Sequence, residues 1–185
     1  MEIGKDMNNS RSVNKIKKEN CCGCHACYNI CPQLAINMIA DKEGFLYPSV
    51  SAEKCVNCGK CLNICPNVVH PSLNFGDKSY ACYAKNYEEH LGSSSGGIFS
   101  VLARRFLAEE GVIFGAAFNE KMEVEHIGIS KTEDLFKLKG TKYVQSRIGK
   151  SYAYVREALL KGKKVLFSGT PCQVAGLKAY LGEDY

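Results

Sequence analysis

Apolar and polar positions follow two different patterns in this 185-residue chain, one on each side of a polar linker around Pro71, Ser72 and Asn74. Ahead of the linker the apolar runs are short. They predict two strands, at 35–39 and 45–50, joined by a turn at 41–44. Beyond the linker the composition changes, since only two cysteines remain in the 120 residues after Cys65, which predicts a second domain beginning near Lys78.

The part beyond the linker alternates strands with helices. The predicted strands are 80–85, 112–118, 124–130 and 164–167, and the predicted helices are 98–110, 132–138, 151–161 and 173–181. The first of these helices carries apolar residues at helical spacing, at Phe99, Leu102, Phe106 and Leu107. Gly111 is expected to end it in a left-handed conformation, and Thr132 and Ser151 to cap the next two helices. This order predicts a mixed α/β domain, within an α+β chain.

Eight of the eleven cysteines change this picture, because they form one spacing pattern written twice. The first copy is Cys21, Cys24, Cys27 and Cys31, followed by Pro32, and the second is Cys55, Cys58, Cys61 and Cys65, followed by Pro66. The spacing is that of bacterial ferredoxins, in which the fourth cysteine of each copy binds the cluster of the other copy.

We therefore predict two [4Fe–4S] clusters. One would be held by Cys21, Cys24, Cys27 and Cys65, and the other by Cys55, Cys58, Cys61 and Cys31. A single CxxC pair would fit zinc or coincidence equally well, but two complete copies that both end in Cys-Pro favour iron–sulfur clusters.

Cysteine usage and charge indicate where in the cell the protein works and which partners it can bind. We expect no signal peptide, and the cysteine spacing is that of metal ligands, so we expect a reducing, cytoplasmic location. The net charge of the chain is +5. Its basic leader is expected to be a solvated tail rather than a nucleic-acid-binding segment, since no nucleic-acid module accompanies it. No apolar run is long enough for a transmembrane segment. We expect a disordered leader at 1–19, a ferredoxin-type domain at 20–71 and a second domain at 78–185.

Three later motifs carry a more specific signal. They are Ser95-Gly96-Gly97, the block 140–146 with the sequence GTKYVQS, and the block 167–173 with the sequence FSGTPCQ. In this order behind two cluster motifs, they resemble the family of coenzyme F420 hydrogenase/dehydrogenase beta subunits. The resemblance implies an iron–sulfur flavoprotein oxidoreductase that binds FAD and passes electrons between a hydride carrier, coenzyme F420 or another donor, and the clusters. A flavin suits this role because it takes up a hydride and releases single electrons.

The resemblance also implies roles for individual residues. Ser95, Gly96 and Gly97 would bind a pyrophosphate at a helix start, and Lys142 would neutralise its charge. The residues expected to contact the flavin are Gln145, Gly169 and Thr170. On residue types alone, the Ser-Gly run is better explained as a flexible loop, and Tyr143 is as readily a packing aromatic as a cofactor contact.

Three cysteines lie outside the two ligand sets. Cys82 is expected to be a buried apolar residue in a strand, and Cys22 a spare thiol. The resemblance implies that Cys172 binds a third [4Fe–4S] cluster, while a non-ligating loop cysteine remains the alternative. Because family members continue well beyond the equivalent of Tyr185, we expect the second domain to be truncated at its C-terminus.

Two functions follow from these expectations. The first is an oxidoreductase subunit, or a fragment of one, that works with a redox partner protein or other subunits. The alternative is a two-cluster electron carrier whose second domain serves for docking and has no catalysis of its own.

Overall fold

The computed structural model of the chain describes residues 11–69 and 78–182. The chain forms two compact units: the first comprises Met1–Pro71 with Pro171–Tyr185, and the second comprises Ser72–Thr170. Helices and small sheets occur in both, which confirms the α+β class. None of the helices in the described residues is long and apolar enough to cross a bilayer.

The N-terminal part of the first unit contains a β-hairpin and two very short helices. The helices are α1 (Ala26–Ile30) and α2 (Lys60–Asn63), and the antiparallel strands are β1 (Ile36–Ala40) and β2 (Leu46–Val50). The Asp41 carboxylate accepts the backbone N–H groups of Glu43 and Phe45, each at 2.9 Å, which closes the turn between the strands. The predicted hairpin is therefore confirmed, with bounds shifted by one residue at three of its strand ends.

The described part of the leader is folded, which corrects the expected disorder for residues 11–19. It contains two 3₁₀ turns, Val13–Lys15 and Lys18–Asn20. Val13 is only 4% exposed and packs with Cys27, Ile36 and Cys61. The physical reason is that a unit with so few apolar side chains uses the leader to complete its core. Residues 1–10 lie outside the described residues.

The last helix, α6 (Pro171–Leu181), belongs to the first unit and packs against α1. The sequence predicted its start at residue 173 and grouped it with the second domain. It begins two residues earlier because proline suits the first turn of a helix, where its missing N–H has no helical partner to lose.

A three-stranded sheet forms the centre of the second unit, with the strand order β4–β3–β5. The strands are β3 (Val112–Phe118), β4 (Val124–Ile129) and β5 (Val165–Phe167); β3 pairs with β4 antiparallel and with β5 parallel. The helices are α3 (Tyr87–Leu91), α4 (Ile98–Ala108) and α5 (Ser151–Leu160), together with a 3₁₀ helix, Thr132–Leu138. The core comprises Ala103, Leu107, Ile113, Ala117, Ile129, Leu135 and Leu138.

The strand predicted at 80–85 is wrong. This segment is extended but forms no strand; its inward residue, Ala84, donates its N–H to the Gly96 carbonyl at 2.6 Å. It leads into the short helix α3, which the sequence analysis missed. The Asn86 side chain caps that helix by accepting the Glu89 N–H at 2.9 Å.

The predicted helix ends also need correction. Glu110, not Gly111, takes the left-handed conformation after α4, with φ of 57°. The N–H of Glu110 bonds to Leu107 O at 3.1 Å and that of Gly111 to Phe106 O at 2.8 Å, which is a Schellman ending. Glycine is needed at 111 for space, since a Cβ there would lie 2.7 Å from Phe106 O and 2.9 Å from Lys164 O.

Thr132 and Ser151 are the first residues of their helices rather than the caps before them. Neither helix has a side-chain cap on the preceding lysine. The Ser151 hydroxyl instead donates to the His126 carbonyl at 2.9 Å, because α5 packs against β4. A tertiary hydrogen bond has replaced the local one.

Candidate metal centres and cofactor cavity

Two cavities in the first unit bring the eight motif cysteines together in two sets of four. The first cavity is lined by Cys21, Cys24, Cys27 and Cys65. The second cavity is lined by Cys31, Cys55, Cys58 and Cys61. These are the two predicted ligand sets, in which Cys31 and Cys65 each cross to the cavity of the other copy. The ligand roles themselves remain a prediction.

Each copy reaches its cavity by the same local path. A residue in the left-handed conformation stands before each short helix: His25, with φ of 62°, before α1, and Gly59, with φ of 78°, before α2. This reversal curls the chain so that the cysteines before the helix and the cysteine inside it converge. The packing of α1 against α2 then brings the fourth cysteine of each copy to the other set.

Backbone N–H groups also point at the sulfurs. Ala35 donates to Cys31 Sγ at 3.3 Å, Val13 donates to Cys61, and Gly23 donates to Cys21. Such N–H···S bonds stabilise negative charge on sulfur, in thiolates and in clusters alike. The folded leader therefore takes part in the second cavity as well as in the core.

Three thiols of these cavities, Cys21, Cys27 and Cys61, have a raised pKa when they bind no metal. Burial, reinforced by the neighbouring Cys21, Cys61 and Cys65, raises the pKa of Cys27 to about 12. Burial also raises the pKa of Cys21 and of Cys61. A metal binds thiolates, so assembly of a centre must displace these protons, and its affinity must increase with pH.

Across residues 11–69 and 78–182, no three His, Cys, Asp or Glu side chains are gathered closely enough to bind a single metal ion. A [4Fe–4S] cubane makes a different demand, because each of its thiolates binds a different iron and the four sulfurs stand around the cluster. The second cavity has four cysteines and no histidine or carboxylate in its lining, and the first has its four predicted cysteines together with Cys22 and His25. Four cysteines in each set fit that group.

A third cavity, which we call the serine-glycine cavity, lies in the second unit and has a volume of about 430 Å³. Its lining includes Ser95, Gly96 and Gly97 from the start of α4, and Gly140 and Thr141 from the loop after the 3₁₀ helix. A Cβ on Gly96 would lie well inside van der Waals contact of the Cys82 carbonyl oxygen. Gly97 is the N-cap of α4 and makes no side-chain cap hydrogen bond. The first residues of the helix line the cavity, and the N–H groups of a first helical turn have no partner within the helix.

Lys142, which the sequence predicted to neutralise a pyrophosphate, makes other contacts in the loop after the 3₁₀ helix. The Lys142 ammonium donates to Lys137 O at 3.2 Å and to Lys139 O at 2.8 Å, so it binds carbonyls at the end of the 3₁₀ helix. Burial lowers the pKa of Lys142. The lysine that lines the cavity is Lys139, which forms an ion pair with Glu89 at 3.3 Å. Sequence reasoning missed it because both lysines belong to the same basic stretch.

The other predicted flavin contacts lie nearby along the chain but do not line this cavity. Ser168 does so, whereas Gly169, Thr170 and Gln145 are not among its lining residues. Tyr143 is 92% exposed, which excludes a packing role within its own unit.

His126 is a buried histidine that sequence reasoning missed, since a lone histidine in a strand gives no signal. Its Nε2 lies 2.9 Å from Ser168 O, and its ring stacks on Phe167 with centroids 5.2 Å apart. Burial lowers the pKa of His126, against the opposing effect of the Ser168 hydrogen bond. A neutral His126 therefore holds Ser168 at the edge of the serine-glycine cavity.

The expectation for one of the three remaining cysteines, Cys82, is wrong, and those for Cys22 and Cys172 stay predictions. Cys82 is exposed and lines the serine-glycine cavity, so the buried strand position is wrong. Cys22 and Cys172 lie within hydrogen-bonding reach of each other in the first unit. The bond to Cys172 lowers the pKa of Cys22, but contact with Cys24 and burial outweigh it and raise the pKa to about 11.

Comparison with known proteins agrees with this description. Residues 20–69 match the family described as 4Fe-4S dicluster domain. The chain is also 30% identical, over 175 aligned residues, to a subunit of the F(420)H(2) dehydrogenase of Methanosarcina mazei; the alignment covers 85% of this chain and 47% of that protein. The chain thus spans about half the length of this curated relative. The resemblance to F420-related iron–sulfur proteins is confirmed, and the dicluster domain supports two [4Fe–4S] clusters.

Proposed function

We propose that this chain, a 4Fe–4S dicluster protein related to a subunit of an F(420)H(2) dehydrogenase, forms the electron-conducting part of a cytoplasmic oxidoreductase. The observation that carries the proposal is the pair of four-cysteine cavities in the first unit. We infer that Cys21, Cys24, Cys27 and Cys65 hold one cluster, and that Cys31, Cys55, Cys58 and Cys61 hold the other.

The residues of the first unit suit reversible one-electron transfer. When bound, each cluster carries one electron at a time. The thiolates fix the irons, while the N–H groups of Val13, Gly23 and Ala35 offset the negative charge on sulfur. Apolar side chains, such as Ile36 and Val50 at the second cavity, limit the access of water.

We further propose that the second unit binds FAD and exchanges electrons with a hydride carrier of the coenzyme F420 type. Support comes from the serine-glycine cavity, where the helix amides at the start of α4 and the Lys139 ammonium suit a pyrophosphate. Ser95, Gly96 and Gly97 would bind the phosphates, and Gln145, Gly169 and Thr170 remain candidate flavin contacts. The partner would be another subunit of the same enzyme, and Cys172 remains a candidate ligand of a third cluster.

Metal analysis of the full chain, purified without oxygen, tests the first part of this proposal. We expect about eight irons and eight labile sulfides per chain, as two cubanes require. Cys58→Ser should lose or alter one cluster, whereas Cys82→Ser, at an exposed cysteine outside both sets, should retain both. Zinc in place of iron, or a full iron content in a chain lacking both Cys58 and Cys31, contradicts the ligand assignment.

Visible spectroscopy of the same preparation, after incubation with FAD and removal of the excess, tests the second part. Retained flavin at one per chain supports the enzyme, because the flavin supplies its hydride chemistry. Eight irons without retained flavin would favour the two-cluster carrier with a docking domain.

A further inference from the structure

The leader closes one side of the second cavity and brings a cation to it. Arg11 is one of the lining residues, and its Cβ and Nε lie 3.8 Å from the position that a Cβ would take on Gly59. The next two residues anchor this placement, since Ser12 is 2% exposed and Val13 donates its N–H to Cys61. Arg11 is therefore held over the cysteines of the second copy by a folded segment.

The two cavities differ in charge. Arg11 and Lys60 line the second cavity, and no acidic residue is among its lining residues. The residues that line the first cavity include no Lys, Arg, Asp or Glu. A negative charge added in the second cavity therefore meets two lining cations, whereas the first cavity has no lysine or arginine in its lining and His25 as its one basic side chain.

They also differ in exposure to water. The second cavity carries an exposed cysteine, Cys58, beside Val56, which is 62% exposed. Of the four cysteines assigned to each cavity, Cys24 and Cys27 are buried in the first, at 8% and 9% exposure, whereas only Cys61 is buried in the second; Cys22, which also lines the first cavity, is exposed. Water stabilises the more highly charged form of any redox centre, so the difference in exposure acts in the same direction as the difference in charge.

We propose that Arg11 raises the reduction potential of the cluster at the second cavity above that of the cluster at the first. This inference rests on the proposed function, because it requires both clusters. Adding one electron adds one negative charge, which the guanidinium stabilises at short range. The second cavity is then where an electron resides in the half-reduced protein.

The test is a redox titration of the full chain followed by electron paramagnetic resonance. The samples are wild type, Arg11→Gln, Arg11→Lys and the control Lys42→Gln, which removes the same charge from the hairpin turn. A Cys58→Ser sample identifies the signal of the cluster at the second cavity. In Arg11→Gln we expect the reduced-to-oxidised ratio of that cluster, at fixed potential, to fall about tenfold, which corresponds to roughly 59 mV for one electron.

The other samples test whether the effect is specific to the charge of Arg11. Arg11→Lys should restore most of the ratio and Lys42→Gln should leave it unchanged. In wild type, added salt should narrow the gap between the two potentials, because Arg11 is exposed; this measurement still decides the matter if Arg11→Gln loses iron. The inference is overturned if the signal that changes in the Cys58→Ser sample belongs to the cluster with the lower reduction potential. It is also overturned if the potentials of both clusters shift equally in Arg11→Gln, or if salt leaves the difference between the two potentials unchanged. Fewer than eight irons in wild type would instead refute the proposed function.

Discussion

Gly96 allows two backbone segments to meet at the serine-glycine cavity, and Gly96→Ala tests that contact. An added Cβ would overlap the Cys82 carbonyl oxygen and lie 3.2 Å from Tyr83 Cα. Both are backbone atoms, so no side chain can turn away to make room. The same movement would stretch the bond from Ala84 N–H to Gly96 O, now 2.6 Å.

The expected cost of Gly96→Ala follows from these two effects. Overpacking against atoms that cannot move aside costs about 1–3 kcal/mol, and weakening one backbone hydrogen bond adds about 1 kcal/mol. We expect the free energy of unfolding of the second unit to fall by roughly 2–4 kcal/mol. Because the overlap lies in the cavity wall, FAD binding should weaken as well.

Urea denaturation of the full chain, followed by circular dichroism, measures the first effect, and fluorescence titration with FAD measures the second. The matched control is Gly115→Ala in β3, where an added Cβ would meet only Leu138 side-chain atoms, at 3.5 Å or more. We expect that variant to change stability by less than about 1 kcal/mol. A Gly96→Ala chain as stable as the Gly115→Ala chain would refute the steric argument.

Three further predictions concern charge. Lys139→Gln should weaken FAD binding about fivefold, since it removes the lysine that lines the serine-glycine cavity. Lys142→Gln should instead lower the free energy of unfolding by about 1 kcal/mol and have a smaller effect on the affinity for FAD. Equal losses of FAD affinity in the two variants would contradict this assignment. The lowered pKa of His126 means that the folded state binds a proton on this side chain less readily than the unfolded state does. The stability that His126 contributes is therefore fully present above about pH 6.5 and is lost as the pH falls below that value. Urea denaturation across this pH range should show a steeper loss of stability for wild type than for His126→Gln. Finally, reversing the charge of Lys54 and Lys60 should slow electron transfer with an acidic redox protein and flatten its salt dependence, which stopped-flow rates at several ionic strengths would reveal; unchanged rates would remove this surface from consideration.

Local sequence signals predicted most of the regular structure. The hairpin of the first unit and the β3–β4 pair of the second were predicted within one residue because turn residues and apolar runs mark their ends. The strand expected at 80–85 was wrong because the residues suit an extended chain, while pairing depends on a neighbouring strand that the fold does not supply.

For the candidate sites too, the sequence predicted some features and could not predict others. The cysteine spacing alone predicted which four thiols share each cavity, since the motif itself encodes the crossing of Cys31 and Cys65. Spacing could not distinguish Lys139 from Lys142, which are three residues apart in one basic stretch. The choice depends on where the loop turns, and there Lys142 binds backbone carbonyls while Lys139 faces the serine-glycine cavity.

The doubled cysteine motif therefore predicted by itself two four-cysteine sites suited to iron–sulfur centres, because ligand chemistry and short loops are local properties of the chain. Only the tertiary structure decided that the leader folds over the second cavity with Arg11, that α6 packs beside α1, and that the two cavities differ in charge and exposure. These features depend on contacts between segments far apart in sequence, and such contacts leave no periodic pattern to read.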